Sequence, residues 1–120
     1  MEVYYLDSSA LVKRFAHEQG TAWVVSIVDE EGSNEVFIAL VTGAEIAAAL
    51  ARRVRMGTVS VADDQQALAA FRERFYQQYN IVLTTPDIVD RAMDLVQQYG
   101  LRGYDAIQLA SALFLATELA

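Results

Sequence analysis

The sequence predicts an α/β fold, a parallel-sheet α/β/α sandwich in which three strands carry helices on both faces, within a single domain spanning residues 1–120. Three observations predict it. Three short apolar stretches, "VYYL" (3–6), "VFIALV" (36–41) and "NIVLTT" (80–85), have the length and composition of strands. Helical stretches separate them, which implies parallel pairing through right-handed crossovers. The strands are also continuously apolar rather than alternating, as strands covered on both faces are.

The elements follow in order. After "VYYL", Ser8 is the expected N-cap of a helix from about Ser9 to Gln19, with Gly20 just past its end. A second helix fits "TAWVVSIVDEE" (21–31), closed by Gly32. Behind the second strand, alanine-rich "TGAEIAAALARRVRM" (42–56) is helical up to Gly57. From Ser60 to Tyr79, the residues Leu68, Phe71, Phe75 and Tyr79 recur at three- and four-residue steps, the pattern of an amphipathic helix. Pro86 opens the helix "PDIVDRAMDLVQQY" and Gly100 closes it. The last helix, from about Tyr104 to Leu119, is apolar almost all round and is expected to be buried.

Composition bounds the function. A chain of 120 residues, 54% hydrophobic, supports one core and holds no linker, repeat or low-complexity tract. The start "MEVYYLDSS" lacks the basic and long apolar regions of a signal peptide, and no apolar run is long enough to span a bilayer. A cytoplasmic protein with no membrane association is expected. The absence of cysteine excludes disulfides and thiolate metal sites. A net charge of −7 counts against a general nucleic-acid binder but does not exclude a nuclease whose carboxylates hold divalent cations, so charge alone leaves the matter open.

Three acids stand out in apolar settings. Asp7 follows the first strand, Glu45 lies four residues past the second, and Asp105 opens the last helix in "RGYDAIQLASAL". Each has a structural explanation: Asp7 as a helix cap, Glu45 in a Thr42-x-x-Glu45 capping box, Asp105 at the positive end of a helix dipole. Together, at one end of a parallel sheet, they would repel one another. A hard cation such as Mg²⁺ or Mn²⁺, which prefers oxygen ligands, removes that repulsion.

The ordered segments "YLDSSALVK", "VTGAEIAAALAR" and "YGLRGYDAIQLASAL" resemble the three motifs of PIN-domain proteins, especially the ribonuclease toxins of VapBC toxin–antitoxin pairs. The resemblance implies that Asp7, Glu45 and Asp105 coordinate Mg²⁺ or Mn²⁺, and that Ser9 supports the first acid or a bound water. It implies hydrolysis of RNA phosphodiesters by metal-activated water, neutralisation by a VapB-like antitoxin, and a site that needs no histidine. His17, the single histidine, is expected to be a solvated surface residue.

Family members usually continue into a further strand that ends in a fourth acid. This chain stops at Ala120, so the C-terminal strand or strands and that acid are expected to be missing. Glu118 cannot replace it, being thirteen residues beyond Asp105 on one helix and hence roughly 20 Å away. Asp87, after the third strand, is a weaker candidate. The "VYYL" edge would then be open, and it is expected to be covered in a homodimer or rearranged.

Arg52, Arg53 and Arg55, like Lys13 and Arg14, could meet RNA phosphates or an acidic antitoxin tail, but solvated helix ends explain them as well. Phe71, Phe75, Tyr76 and Tyr79 read as core or dimer surface rather than a base-stacking platform. Gln108 and Ser111 either line the crevice beside Asp105 or satisfy their own helix. The leading function is a metal-dependent endoribonuclease; the alternative is a catalytically inactive or incomplete PIN scaffold acting as an interaction module. A phosphatase with an aspartyl nucleophile shares the "LDSS" opening, but such enzymes need a second acid where Ser9 stands.

Overall fold

The computed structural model describes residues 2–17, 19–29 and 34–120. The chain divides into two compact units, residues 1–81 and 82–120. Three strands form one sheet in the order β1 (Glu2–Tyr5), β2 (Asn34–Ala39), β3 (Asn80–Val82), with helices between them, as the α/β class requires. β1 and β2 run parallel in the register Glu2↔Asn34 to Tyr5↔Phe37, and the amide of Leu6 extends the ladder by donating to the Phe37 carbonyl at 3.0 Å.

In the first unit, alternation along β2 turns Val36 and Ile38 to one face, where both are buried. They join Leu11 and Val12, Val24 and Ile27 of α2 (Thr21–Val28), Ile46 and Leu50 of α3 (Thr42–Arg55), and Phe71 and Phe75 of α4 (Val61–Phe75) in one core. Phe71 is its aromatic centre. Its ring meets Phe15 edge-on at 5.2 Å, Phe75 at 5.4 Å and Tyr79 at 6.4 Å. Tyr79 is buried and its hydroxyl has no partner among the described residues, so burial holds it protonated well above the usual phenol range.

The first helix departs from the expected one. α1 covers only Ser8–Leu11 and tightens into a 3₁₀ turn over Val12–Arg14. Its N-cap is Asp7 rather than Ser8: the Asp7 backbone is extended (φ −81°, ψ 174°) and its carboxylate accepts from the Ala10 amide. The early stop has a tertiary cause. The tighter turn delivers Phe15 onto Phe71 and brings the Arg14 Nε to both oxygens of Asp29, at 2.8 and 2.7 Å. Asp29, the C-cap of α2, also has the Arg74 guanidinium at 4.0 Å, so one carboxylate ties three segments of the unit. α2 ends at Val28, and its expected extension to residue 31 and closure at Gly32 lie partly outside the described residues.

The second unit is a helix pair. α5 (Pro86–Tyr99) starts as expected, with Pro86 in its first turn and the Thr85 hydroxyl accepting from Ile88. It stops at Gly100, whose φ of +66° lies in the left-handed region that favours glycine. α5 buries Ile88, Ala92 and Leu95 and packs against α6 (Gly103–Leu119). α6 is not buried all round. Ala106, Ala110 and Leu115 are buried, while Leu109, Phe114 and Leu119 are exposed, so several large apolar side chains of the helix are left in solvent. No helix among the described residues is long and apolar enough to cross a membrane.

Two outcomes follow for stability. Phe71→Ala, which empties the centre of the aromatic group, is expected to cost about 3–5 kcal/mol in urea unfolding. At the α1 cap, Asp7→Ala is expected to cost about 1 kcal/mol, whereas Asp7→Asn keeps a side-chain acceptor and stays within about 0.5 kcal/mol of the parent.

Candidate active site

Parallel strands put their carboxyl ends at the same edge, the edge where open α/β sheets bind ligands. Asp7 stands there, two residues past β1. Its Oδ1 accepts two hydrogen bonds, from the Ala10 amide at 3.0 Å and from the Ser9 hydroxyl at 2.9 Å. The tight turn into α1 creates both contacts, because an N-cap carboxylate faces the next free amides. Ser9 therefore touches the acid it was expected to support.

Glu45 enters at the same edge, in the first turn of α3. Thr42 is not the N-cap that a Thr42-x-x-Glu45 capping box requires. Val41 already has helical dihedrals (φ −63°, ψ −20°) and occupies the N-cap position, without a side-chain cap bond. Thr42 is thereby drawn inside the helix and fully buried. Glu45 is half-buried, and α1 packs against α3, so Asp7 and Glu45 belong to neighbouring helix starts.

Asp105 lies in the second unit, exposed in the first turn of α6, where it complements the helix dipole. Ser111 is buried and donates to the Ile107 carbonyl at 2.7 Å, which satisfies its own helix. Gln108 is buried as well. The three acids are less enclosed than their apolar flanks suggested: Asp7 and Asp105 are exposed and Glu45 is half-buried. Helix starts explain the difference, since a first-turn side chain can leave a buried segment towards water. Among the described residues, no three or more His, Cys, Asp or Glu side chains group closely enough to hold a metal ion. The donors at the sheet edge of the first unit, Asp7 and Glu45, supply only oxygen, the ligand type of hard divalent cations.

Arg52, Arg53 and Arg55 sit in the last turn of α3, about 10 Å or more along the axis from Glu45, where they complement the helix C-terminus. Arg14 is engaged by Asp29, and His17 is exposed beyond the 3₁₀ turn rather than on a helix. Asp87 is exposed in the first turn of α5. The aromatic group of α4 divides. Phe71, Phe75 and Tyr79 are core, whereas Tyr76 is 74% exposed. Its separate place was available from spacing, because position 76 falls off the 71–75–79 stripe.

No curated protein matches the chain. The family model of the PIN domain matches residues 4–120, a span that includes Asp7, Ser9, Glu45 and Asp105. The chain therefore belongs to the PIN domain family, whose members are generally metal-dependent nucleases.

Proposed function

We propose that the chain is an endoribonuclease that hydrolyses RNA phosphodiester bonds with Mg²⁺ or Mn²⁺. In this reading residues 1–120 act as one domain, the toxin of a VapBC-type pair, cytoplasmic, homodimeric and silenced by a VapB-like antitoxin. The observation that carries it is Asp7: a carboxylate at the carboxyl end of a parallel strand, oriented by Ser9, in a chain matched to the PIN family across all three motifs.

Asp7, Glu45 and Asp105 are the acids assigned to the cation. When bound, a divalent ion supplies activation of a water and stabilisation of charge on the scissile phosphate and leaving oxygen. The rest falls to this chain's side chains. Ser9 and the Ala10 amide hold Oδ1 of Asp7 and so orient the carboxylate that would help to hold the ion. Glu45 shares the edge and adds the second negative charge. With His17 outside the site, proton transfers are left to water and carboxylates.

A second reading is a PIN scaffold without catalysis that acts as an interaction module. The cap favours it, because the bond Asp7 accepts from the Ala10 amide is that of a structural N-cap.

Calorimetric titration of Mn²⁺ separates the two. The nuclease reading expects saturable binding that is lost in Asp7→Asn, Glu45→Gln and Asp105→Asn, and weakened about 10-fold in Ser9→Ala. It also expects cleavage of single-stranded RNA that stops with EDTA and returns with Mn²⁺. No binding by the parent protein would leave the scaffold reading. For the dimer, light scattering on the eluting protein is expected to give twice the chain mass, and a lasting monomer would count against it.

A further inference from the structure

Tyr76 ends α4 with 74% of its surface exposed, at the mouth of a groove of about 300 Å³ between α3 and α4. Gly43, Ala47, Leu68, Phe71, Arg72 and Phe75 line it together with Tyr76. A single exposed aromatic residue is ordinary. This one has a fixed support. The Phe75 ring meets it edge-on at 4.6 Å and 70°, and Phe75 is itself wedged against α3, where a Cβ on Gly43 would lie 3.1 Å from its Cζ. The Tyr76 ring is thus held from below by a buried side chain.

Arg72 precedes Tyr76 by one helical turn, so the two side chains are neighbours on the same face of the chain. It is exposed and has no ion-pair partner among the described residues. An aromatic face beside a free guanidinium matches a nucleotide, with the ring stacking a base and the cation meeting a phosphate. The apolar groove gives the base a partly dry floor. In a chain of net charge −7, such a local cation is what a polyanion would seek.

The position along α3 connects this groove with the acids. Gly43 and Ala47 line it, and Glu45 lies between them in sequence at the same height on the helix. At about 100° per residue, Glu45 projects about 200° away from Gly43, on the far side of α3. One helix diameter, about 10–12 Å, separates the two faces. A few nucleotides of single strand cross that span.

We infer that Tyr76 and Arg72 form a nucleotide subsite for single-stranded RNA, which stacks a base on Tyr76 and places a phosphate on Arg72 a few nucleotides from the scissile bond. This rests on the nuclease reading for its substrate, but binding can be measured separately from cleavage.

The test uses a fluorescein-labelled single-stranded RNA of mixed sequence and the full 120-residue chain. Anisotropy is read with Mg²⁺ present in an Asp7→Asn background, and cleavage is read in the parent background. Tyr76→Ala is expected to weaken binding about 5- to 150-fold and to raise KM for cleavage, while Tyr76→Phe, which keeps the ring, retains most of the affinity. Arg72→Gln is expected to lower the salt dependence of binding by about 0.7 in the log–log slope. Urea midpoints of the variants guard against misfolding. Tyr76-dependent binding without any cleavage would overturn the nuclease reading and keep the subsite. Cleavage with binding and KM indifferent to Tyr76 would overturn the subsite alone, as would absence of RNA binding. A change of oligomeric mass in Tyr76→Ala with RNA affinity unaltered would show the face to be a protein interface, and would also overturn it.

Discussion

The parallel register of β1 on β2 is the constraint on which the first unit depends. It sets Tyr5 opposite Phe37 and lets the Leu6 amide close one more ladder bond, so the chain leaves β1 at the same edge at which it later leaves β2. Both exits turn at once into helices. A slip of one residue would exchange the faces of the strand and take its inward residues out of the core. The alternation that buries Val36 and Ile38 therefore also decides that Asp7 and Glu45 share an edge.

The core maintains this arrangement from the opposite side. Phe71 gathers Phe15 from beyond the 3₁₀ turn, Phe75 from its own helix and Tyr79 from just before β3, and its contact with Phe15 replaces the last turns of the expected first helix. Ending that helix early has a second effect. It leaves Arg14 free to reach Asp29, where Arg74 also approaches, so the polar tie and the aromatic centre hold the same segments together. Apolar packing carries most of the stability here, since a partly exposed ion pair is worth about 0–1 kcal/mol.

Strand identities, helix order, the Pro86 start and the Gly100 stop were legible in the sequence because each depends on local chemistry. What was not legible depends on contacts between segments. Ser8 and Asp7 are both good caps, and the choice between them follows from where β1 pairing ends. Thr42 and Glu45 spell a capping box, yet helical dihedrals begin one residue earlier, at Val41. The apolar composition of α6 did not reveal that Leu109, Phe114 and Leu119 stay in solvent. At the site, the three acids could be picked out by position and by family resemblance, but their exposure could not, because apolar flanks say where a backbone is buried and not where a first-turn side chain points. Composition groups Tyr76 with its aromatic core neighbours, and only its place off the 71–75–79 stripe sets it apart.

Asp7 shows how a structural role and a chemical one can occupy one side chain without conflict. Capping needs an acceptor, and serine, threonine or asparagine would serve nearly as well as aspartate. The charge is therefore surplus to the cap, apart from about 0.3–1 kcal/mol gained against the helix dipole. Here it is placed near a second acid-bearing helix start, and a neighbouring hydroxyl is spent on orienting it. Those features add nothing to α1 that a neutral cap would lack. They do suit a cation, which takes its ligands as anionic oxygens and is bound more tightly when they are held in place. Oδ1 takes both the cap bond from the Ala10 amide and the bond from the Ser9 hydroxyl, so the fold holds this carboxylate through one of its two oxygens.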